Sequence, residues 1–317
     1  FNERLDSRAI LSERGATFSD AVEYCRTALP DRAAVPSLTA DLSDPSSLHP
    51  VVALIEKAKP SADAPPPLLP FLKPRGAVIL TIPMDEETPS GRLLRPQETA
   101  MEHLLRMMIP VGLYRPDLRL GRSSSESLSS GERKKFEAFL SAFSGGSGVQ
   151  LVLTDSQAID LMNDWVPADI PLTTFSIMMI NQTSGGDLAL FAEGTKALSR
   201  LRAGDRVLIA EACNHDRMSE DIGTVKIPAK LEAAVPGVVV DHAFGREFPD
   251  PAALSRYSVA VHCGGCMISR QAAASRVRRL AEAGVPVTNY GLALSWFEGP
   301  EVLERVLEPW TGRRDGS

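Results

Sequence analysis

Residues 258–290 read SVAVHCGGCMISRQAAASRVRRLAEAGVPVTNY. An apolar run at 258–262 predicts a buried strand, and the apolar spacing of 269–283 predicts a helix that Gly284 ends. A second strand is expected at 286–290. Strand, crossover helix and strand form a unit that is typical of parallel sheets with both faces covered. This stretch therefore predicts an α/β fold.

Similar patterns recur along the chain, although no internal repeat at a fixed period is visible. The run 175–180 is ambiguous between helix and strand, and the Ser-rich stretch 121–131 is expected to be mobile before a helix that starts at Glu132 with a capping box from Ser129. Asp155 or Ser156 is expected to cap a helix. Further strands are predicted at 77–82, 150–154, 207–212 and 237–243, and helices at 95–108, 132–143, 187–201 and 292–307.

Proline content suggests the domain organisation. Residues 60–76 hold six of the 24 prolines, which remove backbone donors and disfavour a preceding helix. We therefore predict a Pro-rich linker at 61–76 between a weakly α/β segment, 1–60, and two α/β units with mainly parallel sheets, 77–205 and 206–311.

Composition excludes some partners. The net charge of −6 without a basic stripe disfavours nucleic acid, and no apolar run reaches the ~18 residues of a membrane helix. No signal peptide is visible. We expect a cytoplasmic protein, or a stromal one if the source is an alga with a plastid.

Three of the four cysteines mark the candidate site. Cys213 follows the predicted strand 207–212, and Cys263 and Cys266 follow the strand 258–262. With His215 and His262 they form the pattern C-x-H, 46 residues, H-C-x-x-C. The carboxyl edge of a parallel sheet is where ligands bind. The fourth cysteine, Cys25, lies on an apolar helical face and is expected to be a buried core thiol.

Several kinds of centre fit these thiols. Three cysteines suit an iron–sulfur cluster with one open iron, and the flexible Gly264-Gly265 would let the chain bend around it. A Cys₃His zinc site is the alternative, and a redox dithiol would use only Cys263 and Cys266. The candidates for the fourth ligand are His215, Glu220 and, less favoured, His262.

The cysteine pattern resembles that of the HydF family of FeFe-hydrogenase maturation factors. It is set in LIAEACNHDRMSEDIGTVKIP and in VAVHCGGCMISRQAAASRVRRLAEAGVPVTNYGLALS, and the middle region, with LTIPMDEETPSGRLLRPQ and VLTDSQAIDLM, is similar too. The resemblance covers about residues 70–308.

The resemblance implies a scaffold and carrier. It implies a 4Fe-4S cluster held by Cys213, Cys263 and Cys266, with His215, His262 or Glu220 near the open iron. It also implies a transient two-iron precursor that is delivered to apo FeFe-hydrogenase, and the radical-SAM maturases of the same pathway as partners. The 77–205 unit would then mediate homodimerisation, and the 206–311 unit would bind the cluster at its strand ends. An enzyme that uses the open iron as a Lewis acid and a structural zinc protein remain the alternatives.

The chain departs from the family at its front. Members begin with a GTP-binding domain, but no G-x-x-x-x-G-K-[ST] loop occurs in this sequence. Residues 1–60 are interpreted as a remnant or tail of such a domain, so GTP is expected only if a further domain precedes them. No catalytic residue is assigned.

Two further groups of residues lie near the predicted site. Arg270, Arg276, Arg278 and Arg279 lie on the helix after the C-x-x-C pair; most are expected on a solvated face, with one as a candidate partner of a bound two-iron unit. Asn289 and Tyr290 end the last strand and are candidates for hydrogen bonding around the centre.

Overall fold

The computed structural model describes residues 49–53, 66–84, 93–143, 145–212, 221–245 and 248–312. The chain divides into two compact units, Phe1–Ala64 and Pro65–Ser317. In the first unit, residues 49–53 are helical; the rest of the predicted GTP-binding remnant, including Cys25, lies outside the described residues. All elements named below belong to the second unit.

The second unit contains two four-stranded sheets whose strands are all parallel. The first sheet has the order β2-β1-β3-β4 and the second has the order β6-β5-β7-β8. In each, the first strand in sequence lies between the second and the third. The predicted α/β class with parallel sheets is therefore confirmed, and the two sheets share one strand order.

The first half of this unit, residues 66–198, contains these elements in chain order: β1 Ala77–Thr81, α1 Arg95–Arg106, β2 Val111–Tyr114, α2 Leu118–Gly121, α3 Glu126–Ser141, β3 Val149–Thr154, a 3₁₀ turn Ser156–Ala158, α4 Ile159–Trp165, β4 Leu172–Thr174, α5 Phe175–Thr183 and α6 Leu188–Leu198.

The second half contains these: β5 Arg206–Glu211, a π-helix Ile222–Lys226, α7 Ile227–Ala234, β6 Val239–Phe244, α8 Pro251–Leu254, β7 Val259–His262, α9 Arg270–Glu282, β8 Val287–Asn289, α10 Tyr290–Glu298 and α11 Pro300–Thr311. No helix in the described ranges is both long enough and apolar enough to cross a bilayer.

Apolar strands and polar caps explain why these segments fold as they do. β1 and β7 are buried along their whole length, as expected for parallel strands covered by helices on both faces. Short polar side chains then start the helices, since each satisfies a free N–H of the first turn. Asp155 accepts from Gln157 N at 3.1 Å, which confirms the predicted cap, and Ser269 accepts from Ala272 N at 3.2 Å.

The last helix ties the two sheets into one body. α11 follows the second sheet in sequence but packs on β4 of the first, where Trp310 Nε1 donates to Thr173 Oγ1 at 2.9 Å and Thr173 Oγ1 donates to the Val306 carbonyl at 2.9 Å. One buried apolar cluster contains residues of both sheets, such as Val152 and Val261. The halves therefore share a core.

Two boundary predictions are wrong. The helix expected at Glu132 begins at Glu126, after Ser125, so part of the stretch expected to be mobile is helical. Glu132 is buried inside it and accepts from Tyr114 Oη and Asp117 N, both at 3.2 Å. The helix expected at 292–307 is two helices that meet at Gly299, whose φ of 133° a side chain would resist.

Two other outcomes concern short or ambiguous segments. The run 175–180 forms helix α5, which Thr174 caps by accepting from Ile177 N at 3.2 Å. Strands β2 and β4 were not predicted from sequence, since they hold four and three residues. In the predicted linker, Leu68, Leu69 and Leu72 are buried in a second apolar cluster.

We predict that Gly194→Ala destabilises the protein. Gly194 of α6 lies so close to β8 that an added Cβ would overlap the Val287 carbonyl group. Overpacking of this kind costs about 1–3 kcal/mol or more. The control is Gly131→Ala in α3, where nothing lies within 4 Å of the new methyl group; it is expected to stabilise by about 0.5–1 kcal/mol. Denaturant unfolding measures both, and equal effects would contradict the close approach.

Candidate functional site

The strand ends of β5 and β7 bring the candidate site together. These strands are neighbours, and Ala210 on β5 is in register with His262 on β7. The chain continues from β5 to one side of the sheet and from β7 to the other, so the strand order reverses between them. This reversal opens the crevice in which open α/β sheets bind ligands.

The Cys263 sulfur is held by backbone N–H groups. Its Sγ accepts from Ala212 N at 3.1 Å and from Gly265 N at 3.4 Å, while Cys263 N donates to the Ala210 carbonyl at 3.0 Å. Hydrogen bonds of this kind stabilise a thiolate and tune a metal bound to it. Ala212 directly precedes Cys213 in the sequence.

Burial keeps Cys263 protonated in the metal-free protein. Burial raises the pKa of this thiol to about 11, and nearby Cys266 and Glu211 raise it further, whereas the two N–H donors oppose the rise. A metal would therefore displace a proton from the sulfur when it binds.

The two glycines shape the turn between the cysteines. Gly265 has φ of 69°, a left-handed conformation that costs other residues roughly 1–2 kcal/mol. Ile268 N donates to its carbonyl at 3.2 Å, and α9 begins after Ser269. Cys266, at the end of the turn, is partly buried against the apolar cluster that includes Phe175 and Met179.

Helix α5 from the first half forms a wall of this site. A Cβ on Gly264 would lie 3.0 Å from Met179 Cβ, and the Thr183 hydroxyl lies 3.2 Å from the Gly264 carbonyl and 2.9 Å from the Met179 carbonyl. Ser176 Oγ donates to Asn289 Oδ1 at 3.2 Å. The cysteine turn is thus packed against an element that the first sheet carries.

Both ring nitrogens of His262 are engaged by the protein. Nδ1 lies 2.7 Å from the Cys263 carbonyl, and Nε2 lies 3.5 Å from Arg276 Nη1. A carbonyl only accepts and a guanidinium only donates, so the proton sits on Nδ1. Burial lowers the pKa of His262 to about 4 against the rise from the Cys263 carbonyl, and the Arg276 charge lowers it further. Among the candidate fourth ligands, His262 therefore has no free ring nitrogen in this arrangement.

Asn289 and Tyr290, predicted beside the centre, lie at the carboxyl end of β8. Asn289 Nδ2 donates to the His262 carbonyl at 3.2 Å, and Asn289 Oδ1 accepts from Gly291 N at 2.9 Å to cap α10. The Tyr290 hydroxyl lies over Gly223 of the π-helix, close to the buried carboxylate of Glu211. Asn289 thus fixes the strand end that carries Cys263.

The three other candidate ligands lie outside the described residues: Cys213, His215 and Glu220. Their flanks are described, with Ala212 buried on one side and Asp221 buried on the other, where its carboxylate accepts from Thr224 N at 2.6 Å. Within the described part of the chain, no group of three or more His, Cys, Asp or Glu residues is arranged to hold a metal. The assignment of the six candidate ligands therefore stays a prediction.

Sequence reasoning missed the residues that other elements bring to the site. Met179 and Thr183 come from a helix about 80 residues earlier in the chain, and Ala212 contributes only its N–H. The run 175–180 was ambiguous between helix and strand, so nothing in the sequence signalled this contact. Arg276 was placed on a mostly solvated face and is buried instead.

Fold and site together define a parallel α/β protein with a pair of thiols at the reversal point of its second sheet. Residues 129–183 match the Hydrogen maturase F dimerization domain, and residues 189–309 match the Hydrogen maturase F tetramerization domain. The two matches cover more than half of the 317 residues. The chain belongs to the HydF family of hydrogenase maturation factors. No curated protein matches it.

The matched domains indicate the general function of the chain and its tendency to self-associate. They indicate hydrogenase maturation and self-association. The dimerization match lies inside the predicted 77–205 unit, and the tetramerization match spans most of the unit that we predicted to bind a cluster. The boundaries of the predicted domains remain a prediction.

We predict that Thr183→Val loosens the cysteine turn. The substitution removes the hydroxyl that bonds the Gly264 carbonyl, and a lost hydrogen bond of this kind costs about 0.5–1.5 kcal/mol. Amide hydrogen exchange at Gly265 and Ile268 should accelerate by roughly fivefold. The control is Thr195→Val, since Thr195 is also buried but donates only within its own helix, to the Ala192 carbonyl at 2.7 Å. Equal acceleration in both variants would contradict the contact.

Proposed function

We propose that the chain is a scaffold and carrier that binds a 4Fe-4S cluster and a two-iron precursor and delivers the precursor to apo FeFe-hydrogenase. The observation that carries this proposal is the hydrogen bond from Ala212 N to Cys263 Sγ at 3.1 Å. It joins the residue next to Cys213 to the first sulfur of the C-x-x-C pair, at the carboxyl edge of two adjacent strands.

The donor set fits an iron–sulfur cluster. Cys213, Cys263 and Cys266 would supply thiolates, which are the usual ligands of such clusters. Backbone N–H groups of Ala212 and Gly265 already point at Cys263 Sγ, and the N-terminus of α9 follows the pair. A bound cluster with three protein thiolates would offer one iron for attachment of cargo.

The fourth position is proposed for His215 or Glu220. His262 is disfavoured because its Nδ1 and Nε2 face the Cys263 carbonyl and Arg276. The ring is better suited to hold the Cys263 peptide in place than to bind iron.

Among the alternatives, an enzyme would require a substrate cavity beside the thiols. A cavity of about 500 Å³ is lined by residues such as Arg133, Asp164, Trp165 and Arg305. Among the described residues, none that lines this cavity belongs to the cysteine site, so this cavity gives no support to turnover at the thiols.

We predict that Cys213→Ala, Cys263→Ala and Cys266→Ala each abolish the cluster, because two remaining thiolates do not hold it. His215→Ala should keep the cluster but change its electron paramagnetic resonance spectrum. The measurements are iron, zinc and sulfide content and visible absorption of anaerobically purified protein. Cys25→Ala is the control and should retain the full content.

Two outcomes would contradict this proposal. A Cys213→Ala protein with undiminished iron and sulfide would remove the third ligand from the assignment. Stoichiometric zinc with no visible absorption in the unmodified protein would favour the structural zinc alternative. Addition of a synthetic two-iron mimic, followed by the spectrum of the reduced protein, tests the cargo role.

We also propose that the first half forms a homodimer through the β2 edge of its sheet, with which no other described strand pairs. β2 is an edge strand, and apolar side chains are exposed on it and on the helix and turn before it: Leu113 is 51% exposed and Met108 is 88% exposed. Leu105 on α1 is exposed as well. Unpaired edges with apolar side chains are sites of association between chains, and the neighbouring residues match a dimerization domain.

We predict that Leu113→Lys weakens self-association, since a buried lysine at the interface would lose its hydration. We expect the dissociation constant of the dimer to rise at least tenfold, which corresponds to about 1.4 kcal/mol. Sedimentation velocity at micromolar concentration would then show a larger fraction of the smaller species. The matched control is Leu128→Lys on α3, where the leucine is exposed to a similar degree, 49%. An unchanged distribution for Leu113→Lys would refute the edge as the contact.

A further inference from the structure

Arg276 is a buried cation beside the cysteine site. Only 5% of its surface is exposed. Its Nη2 donates to the Gly245 carbonyl, its Nη1 lies 3.5 Å from His262 Nε2, and its guanidinium lies 5.0 Å from the centre of the Phe248 ring. Each of these partners is neutral, so no counter-charge lies among the contacts that Arg276 makes with the described residues.

Other arginines of the protein are paired differently. Arg206 and Arg122 bind aspartates at 2.6 and 2.7 Å, at partly exposed positions. No ion pair among the described residues includes Arg276. A buried charge without a partner carries a large desolvation penalty, which proteins tolerate where an opposite charge is bound.

The charge that could offset this penalty is on sulfur. Burial lowers the pKa of Arg276, and the nearby Cys263 opposes that shift by favouring the charged guanidinium, whereas Arg279 adds to it. The geometry places Arg276 one residue away from this sulfur: its Nη1 lies 3.5 Å from His262 Nε2, and His262 Nδ1 lies 2.7 Å from the Cys263 carbonyl. Thiolates bound to a metal at this position would supply the opposing charge.

We propose that Arg276 is a positioning residue that supplies the counter-charge for the thiolate-bound iron–sulfur cluster and holds His262 away from the iron. This inference rests on the proposed function. A cluster bound by three thiolates is negatively charged overall, and one further electron makes it more negative. A fixed cation beside it therefore stabilises the bound state, and the reduced state more than the oxidised one.

The same guanidinium fixes the ring of His262. Because Arg276 Nη1 donates toward Nε2, the proton stays on Nδ1, which donates to the Cys263 carbonyl. Asn289 Nδ2 holds the His262 carbonyl at 3.2 Å on the other side. The carbonyl groups on both sides of the Cys263 Cα, those of His262 and Cys263, therefore each accept a hydrogen bond from a side chain.

The test compares the reduction midpoint potential of the reconstituted cluster in four variants of the full chain. Arg276→Met removes the charge and the polar contacts, whereas Arg276→Gln removes the charge but keeps a polar side chain. Arg276→Lys keeps the charge but lacks the planar guanidinium group. Arg278→Met is the control, since Arg278 lies exposed on the same helix. Iron and sulfide content and metal-free thermal stability are measured in parallel.

We expect both neutral variants to shift the midpoint potential to more negative values and to lose iron faster to a chelator. Arg276→Lys should restore most of the potential, and Arg278→Met should match the unmodified protein. A purely structural arginine would give the opposite pattern, with the lysine variant as impaired as the neutral ones, because lysine cannot bond Gly245 and His262 together.

Three outcomes would overturn the inference. They are unchanged potentials in both neutral variants with full clusters, a positive shift, or failure of Arg276→Lys to differ from Arg276→Gln. If the unmodified protein takes up no cluster, the proposed function falls and this inference falls with it. If clusters form but the potentials do not respond, only the role of Arg276 is refuted.

Discussion

Two backbone N–H groups directed at one sulfur atom are the constraint on which the site depends. Ala212 and Gly265 approach Cys263 Sγ from different segments, one at the end of β5 and the other in the turn after β7. The parallel register of β5 and β7 sets the first approach, and the left-handed backbone of Gly265 sets the second. A change in the β5–β7 register or in the Gly265 backbone would remove one hydrogen-bond donor from the buried Cys263 sulfur. Strand pairing thus fixes the backbone donors around the Cys263 sulfur.

The site also depends on the first half of the molecule. Met179 and Thr183 of α5 contact Gly264, and Ser176 contacts Asn289. These contacts join α5, which follows β4, to the turn after β7 and to the end of β8. Helix α11 contacts β4 through Thr173. The half that matches a dimerization domain is therefore part of the wall around the thiols, and the two matched regions are not structurally independent.

The sequence specified the second sheet well, because its strands are continuous apolar runs and its crossover helix has a clear cap and stop. The strand ends that precede Cys213 and Cys263 could be predicted for the same reason, whereas the reversal of strand order between β5 and β7 was not predicted. Short strands such as β2 carry too few residues for a pattern. The boundary of α3 was missed because Ser129 and Glu132 have the spacing of a capping box, yet Glu132 is used for tertiary hydrogen bonds.

Contacts between distant segments could not be predicted from one sequence. Nothing local to Arg276 distinguishes it from Arg278, two positions away, and only the packing of Phe248 and Gly245 over it makes it buried. The common strand order of the two sheets was hidden as well, since the shared feature is topology and not residue identity. For Cys213, His215 and Glu220 the assignment still depends on the sequence pattern alone.

The missing side chain of Gly264 has a mechanical consequence. With no Cβ to hold them apart, α5 and the cysteine turn are in direct contact at Met179. A rotation of α5 would press on the peptide between the two thiols without any intervening soft layer, because packed interiors transmit displacement. A movement in the self-associating half of the molecule would therefore displace the peptide that links the two thiols.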